Sequence, residues 1–193
     1  MKVSREQAVR HREQILDTAA RLFRERGFDG IGVADLMAAA GFTHGGLYGH
    51  FSSKEDLMTE ACSRAFSEKE SLWLKELESS PGQPLAAIAN RYLTDRHRRN
   101  SGTGCPLASW AIDAARQPKS IRQAFTDGLR KLVQVLADQL GFKSAEDRYQ
   151  KSLTTWSTLV GALVLARAVN DPQLSNDILQ SAAESIGGAS RCK

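Results

Sequence analysis

The sequence predicts an all-α protein, on three observations. Apolar residues recur every three or four positions in segment after segment, the period of a helix buried along one side. Beyond residue 80 no stretch of any length alternates apolar with polar residues, as a half-buried strand would. Gly27, Gly41, Ser79-Ser80-Pro81-Gly82, Asn100-Ser101-Gly102-Thr103-Gly104 and Gly141 punctuate the chain where helices must stop.

The first helix is read over Arg5 to Arg26, where Val9, Ile15, Leu16, Ala19, Ala20, Leu22 and Phe23 form one stripe before Gly27. Val33, Leu36, Met37 and Ala40 make a second, ended by Gly41, with Phe28 and Ile31 closing a small core. Thr43 is placed to cap a third. Ser52 and Glu55 have the spacing of a capping box for a long helix from Ser53 to Leu77. Pro84 opens one reaching Arg99, Pro106 a short one to Ala115, and Pro118 one to Leu140. Ser144 and Asp147 open the penultimate helix, and Asp171-Pro172 the last, which runs to Gly187-Gly188.

At 193 residues the chain suits one compact unit or two small ones. The longest apolar run, Leu159 to Ala166, is far too short to span a bilayer, and Met1 to Arg5 leads into a charged helix rather than a signal peptide, so a cytosolic protein with no membrane partner is expected. Cys62, Cys105 and Cys192 are odd in number and match no metal-ligand spacing, which argues for thiols in a reducing compartment, no metal site and no cofactor. The net charge of +4 favours polyanions only weakly, and residues 1–50 hold seven Lys or Arg against six acids. Nucleic-acid binding must therefore be argued from pattern.

The pattern lies in VADLMAAAGFTHGGLYGHFSSKEDL, Val33 to Leu57: a helix, a tight turn, a second helix and the start of a longer one. Gly45 and Gly46 fall near the start of the second helix, where each costs about 1 kcal/mol relative to alanine. Bare backbone permits the close approach that a recognition helix needs in a DNA major groove. Around it stand Thr43, His44, Tyr48 and His50, donors to phosphate or base edges, and Lys54 at an anion-attracting helix start.

Over roughly residues 10 to 60 the chain resembles the DNA-binding signature of the tetracycline-repressor (TetR/AcrR) family of transcriptional regulators, carried by GFDGIGVADLMAAAGFTHGGLYGHFSSKEDL. The resemblance implies an N-terminal three-helix DNA-binding domain with a helix-turn-helix, here 1–53, and a C-terminal helical ligand-sensing and dimerisation domain, 54–193. It implies a homodimer on a palindromic double-stranded operator, released by a small-molecule inducer, and no enzyme activity. Many members carry threonine just before the helix beginning at Val33; Gly32 stands there, a tolerable cap that forgoes one phosphate contact.

Thr43, Tyr48, His50 and Lys54 are expected at phosphates, and His44 and Gly45 at base edges, with Gly46 beside them. The long helix from Ser53 is the natural lever between ligand and reading heads. Trp73, Tyr92, Cys105, Trp110, Phe125 and Trp156 are candidate pocket residues, against the blander account that aromatic stripes are core. The last two helices carry Leu153, Val160, Leu163, Val164, Leu174, Ile178 and Ala182, and in the resembling family such helices pair across a two-fold axis as a four-helix bundle. Arg91, Arg96, His97, Arg98 and Arg99 read as solvated cations complementing a helix end. Gly104-Cys105-Pro106 sets a thiol near a helix N-cap, where the dipole favours thiolate; some branches of the family sense electrophiles or oxidants there, and Cys105 is a candidate sensor. Two rivals are weighed. A thiol enzyme using Cys105 with His97 as base lacks an orienting third group, and a non-specific DNA-packaging protein would show a basic surface that residues 1–50 do not supply.

Overall fold

The computed structural model describes residues 4–187 and, among them, nine α-helices and one 3-10 helix. Helices hold 77% of the described residues and no strand occurs among them, so the all-α class holds. Gly188 and Cys192 lie outside the described residues.

Helix α1, Arg5–Arg26, opens on a capping box in which Ser4 Oγ accepts from the Gln7 amide and Gln7 Oε1 accepts from the Ser4 amide. It closes at Gly27, φ +79°. Helix α2, Val33–Ala39, follows Gly32, which caps without a side chain; Gly41, φ +82°, then takes the left-handed turn expected of it. A 3-10 helix, His44–Gly49, precedes α3, Lys54–Glu78. The chain continues as α4, Pro84–Tyr92; α5, Asp95–Arg99; α6, Pro106–Ala114; α7, Lys119–Ala137; α8, Ala145–Ala168; and α9, Pro172–Gly187.

Two expectations are corrected. The helix expected from Pro84 to Arg99 breaks at Leu93, ψ 61°, because Thr94 starts a new one: its Oγ1 accepts from the His97 amide at 3.1 Å. The cap of α3 is displaced by one residue, with Ser53 Oγ accepting from the Asp56 amide at 3.0 Å. The Asp56 carboxylate accepts from both the amide and hydroxyl of Ser52 at 2.9 Å, and these bonds hold its pKa below the usual carboxylate range. Glu55, the expected partner, instead accepts from the Ser120 hydroxyl.

The chain forms two compact units, and their division does not follow the boundary read at 53/54. The first, Met1–Phe66 with Gly102–Asp127, gathers α1, α2, the 3-10 helix, the first half of α3, α6 and the first half of α7. Its core joins Ile15, Phe23, Leu36, Met37 and Leu57 with Trp110, and Phe28 stacks on Trp110 with centroids 5.0 Å apart. So few apolar residues on α1 and α2 need more surface to bury against, and α6 supplies it. Arg64 pairs with Glu13 and Asp17, and Arg12 with Glu60, pinning α1 to α3.

The second unit, Ser67–Ser101 with Gly128–Lys193, is centred on Trp73, Tyr92 and Trp156, whose ring centroids lie 5.8 to 6.2 Å apart. The Trp156 indole N–H donates to the Leu132 carbonyl at 2.9 Å, and buried Ser152 donates to the Val133 carbonyl at 2.7 Å. The basic run expected in solvent is in part a half-buried clasp. Arg167 donates to the His97 and Arg98 carbonyls at 2.7 and 3.0 Å, while Arg98 donates to Ser175 Oγ at 2.6 Å and Asn176 Oδ1 at 2.9 Å. The His97 and Arg98 carbonyls stand at the end of α5, where a helix leaves its last carbonyls without intrahelical partners, and the half-buried Arg167 fork satisfies them. Arg91, Arg96 and Arg99 stay exposed as expected.

Candidate nucleic-acid interface

The segment expected to read DNA is a short 3-10 helix rather than an α-helix. Paired glycines weaken an α-helix, and a six-residue turn with i to i+3 bonds, such as Gly46 N–H to the Thr43 carbonyl at 2.9 Å, tolerates them. Thr43 occupies the N-cap position with extended backbone, but its hydroxyl makes no cap bond.

Leu47 and Phe51 are buried and anchor this tip, leaving Thr43, His44, Gly45, Tyr48 and Gly49 exposed. Tyr48 is 63% exposed, a fraction that no packing role accounts for. A Cβ at Gly45 or Gly49 would meet nothing within 4 Å, whereas one at Gly46 would reach Met37 Cε at 3.5 Å. Gly46 therefore faces α2, and no contact among the described residues requires glycine at 45 or 49. His50 and Lys54 are half-buried.

His11, which the sequence reading passed over, joins the same face: its ring lies 4.9 Å from Phe42 and 6.3 Å from His50. The signal was its place on α1, four residues before Ile15 and so on the face of the core stripe. The His50 pKa is lowered from the ordinary histidine value, first by burial and then by His11 and Arg12.

The candidate pocket residues do not form one group. Trp73, Tyr92 and Trp156 cluster in the second unit; Cys105, Trp110 and Phe125 belong to the first, where Phe125 meets Phe66 edge-on at 5.3 Å. Trp73 and Trp110 are both buried, and neither indole N–H has a hydrogen-bond partner among the described residues. Two open grooves on the second unit, about 310 and 220 Å³, share Gln180 and Ala183 and are lined by none of the candidates. Cys105 is the N-cap residue of α6, 2% exposed, and neither it nor Cys62 is in a disulfide. Burial pushes the Cys62 thiol up to about 12. On the last two helices, Leu163 and Ala182 are buried within the chain, Leu153, Val160, Val164 and Ile178 are half-buried, and Leu174 is exposed.

A helix-turn-helix whose exposed tip is backbone and hydrogen-bonding side chains, carried on an all-α chain, defines a DNA-binding regulator of transcription. The chain belongs to the tetR family of bacterial regulatory proteins: that family's model matches residues 15–61, and the model for the C-terminal domain of LmrA/YxaF-like transcriptional regulators matches residues 81–184. The transcriptional regulator AcrR of Shigella flexneri is 34% identical over 85 residues, 44% of this chain and 40% of that protein, so under half of that relative's length is matched. In overall fold the chain is similar to reduced NemR of E. coli, at a TM-score of 0.78 and 22% identity over 95% of this chain and all of that one. It is likewise similar to AibR in complex with isovaleryl coenzyme A and operator DNA, at 0.66 and 18% over 93% and 100%. No described helix is long and apolar enough to cross a membrane.

Proposed function

We propose that the chain is the protomer of a homodimeric repressor that binds a palindromic operator through two copies of the Thr43–His50 tip and is released by an inducer. One observation supports this most: exposed glycines at 45 and 49 serve no internal contact, and a large exposed tyrosine stands between them. In this role Thr43, Tyr48, His50 and Lys54 contact phosphates, and His44 and the Gly45 backbone face base edges, with Gly46 keeping the tip close to α2. The dimer forms through α8 and α9, using Leu153, Val160, Val164, Leu174 and Ile178, with Leu163 and Ala182 as core support.

The inducer acts on the C-terminal helices, through the Trp73, Tyr92 and Trp156 cluster or through Cys105, Trp110 and Phe125. It acts either as a bound small molecule or by modification of the Cys105 thiol. The solved complex of AibR holds an acyl coenzyme A and operator DNA, a fold-level precedent for both partners. Half-sites recur at about 34 to 36 Å, so a few ångströms of displacement between heads abolishes simultaneous docking. Catalysis plays no part, and the protein works in the cytoplasm beside the DNA it reads.

Selection of bound fragments from random DNA, followed by footprinting, tests this. A symmetric protected site that is vacated on adding a ligand or a thiol reagent is expected. Protection without a symmetric site, or a monomer indifferent to DNA, would overturn it.

A further inference from the structure

We propose that Arg24 is the positioning residue through which the segment leading into Cys105 governs the attitude of the DNA-reading helices. Arg24 stands on the last turn of α1 and is only 8% exposed, so its charge must be compensated inside the protein. Its Nε–H donates to the Gly102 carbonyl at 2.6 Å, and its guanidinium lies 5.8 Å from the centroid of the Trp110 ring. Gly102 is buried, and the place a Cβ would take is occupied by the Glu25 carboxylate, 2.2 Å from that point. Residues 24 and 25 thus grip the loop before α6 from two sides.

The grip extends into the turn between α1 and α2. Phe28 stacks on Trp110, and Gln117 Nε2 donates to Asp29 Oδ2 at 2.8 Å. At its far end α2 is tied back to α1 by Gln14, whose Nε2 donates to the Ala40 carbonyl at 3.0 Å. α2 and the tip it carries therefore follow the end of α1, and the end of α1 follows Gly102. Cys105 is three residues on and buried, so any bulk added to its sulfur displaces its surroundings. Glycines at 102 and 104 make the loop the softest path for that displacement. A shift of about 1 Å at the Gly102 carbonyl exceeds the tolerance of the Arg24 bond.

The regulatory use of this contact rests on the thiol-responsive function proposed above; the transmission itself does not. Two perturbations of the full-length dimer test it. One is Cys105→Met; the other is methyl methanethiolsulfonate, with labelling of Cys105 verified by mass spectrometry. In that reaction the thiolate sulfur bonds to the reagent's thiomethyl sulfur, methanesulfinate leaves with the electron pair of the broken S–S bond, and the thiol proton goes to solvent.

Amide hydrogen exchange and operator affinity are read together. In the native background either perturbation should speed exchange over residues 102–110 and also over 27–42. In Arg24→Gln the change should stay within 102–110, and any loss of operator affinity caused by Cys105→Met should shrink by about tenfold. Arg24→Lys, which keeps the charge without the Nε–H, should behave likewise and serves if the glutamine variant folds poorly. Exchange over 27–42 that stays unmoved in the native background, or that moves equally in both Arg24 variants, would overturn the proposal. Exchange that spreads to 27–42 with operator affinity unaltered would uphold Arg24 as the relay and refute thiol control of DNA binding.

Discussion

The Phe28 ring lies on the Trp110 indole with centroids 5.0 Å apart and planes inclined by 29°, both side chains fully buried. Residues 82 positions apart thereby close the core of the DNA-binding unit, and α6 becomes part of the scaffold that carries the tip. Phe28→Ala should cost about 3 to 5 kcal/mol of stability, and Phe28→Leu distinctly less. Urea denaturation followed by tryptophan fluorescence checks this. A loss below about 1 kcal/mol for the alanine variant would mean that α1 and α2 hold their fold without α6.

Gly45→Ala separates a role in the fold from a role at DNA. The added Cβ meets no atom within 4 Å, so thermal stability should stay within about 0.5 kcal/mol of the parent. Operator affinity, measured by fluorescence anisotropy, should fall by about tenfold or more because the backbone can no longer approach the groove floor. Unchanged affinity would place the tip outside the groove.

Tyr48→Phe and Lys54→Ala should weaken operator and unrelated DNA by similar factors. For the lysine the slope of log K against log salt should drop by about one unit, the signature of a lost phosphate contact. A changed sequence preference at constant slope would assign Lys54 to base readout instead.

His97 makes stability depend on pH. Its pKa is lowered to about 4, first by burial, although its bond to the Tyr92 carbonyl, 2.7 Å from Nδ1, opposes the shift. The unfolded chain takes up the proton near pH 6.5 while the folded chain refuses it until about pH 4, so stability is intact above 6.5 and declines as pH falls through that window. The loss at the lower end should be about 3 kcal/mol. Denaturation midpoints between pH 7.5 and 4.5 measure it, and His97→Gln should flatten the curve.

Gly30 is a strict requirement. A Cβ there would sit 1.8 Å from the Arg26 carbonyl oxygen, and backbone cannot yield as a flexible side-chain end can. Gly30→Ala should destabilise the first unit by about 2 kcal/mol or more and shift the turn before α2. Differential scanning calorimetry with an operator-binding assay reports both effects; a tolerant variant would show that this turn is free to relax.

The helices were legible because their ends are written locally. Gly41, Ser144 and Asp171 each act within four residues, and all stop or start a helix where the sequence indicates. Thr94 was read through because the apolar stripe from Pro84 is helical by period, and a cap inside such a stripe shows itself only when its hydroxyl bonds. Arg24, Arg98 and Arg167 were illegible for another reason: a sequence gives a cation's charge but not the oxygen, about 70 to 78 residues away, that receives it. The tip was recognised by residue type, yet which glycine faces outward depends on the turn's geometry, and period alone does not supply that.

Leu47 and Phe51 hold the 3-10 turn from beneath, and among the described residues the exposed His44 and Tyr48 rings meet each other, while the space beside Gly45 and Gly49 is open. Under the proposed role the tip is therefore an exchangeable cassette: His44 and Gly45, at the base edges, can be rewritten to suit another operator while the core below stays as it is. In this architecture a change of target gene and the upkeep of a folded protein are nearly separate problems.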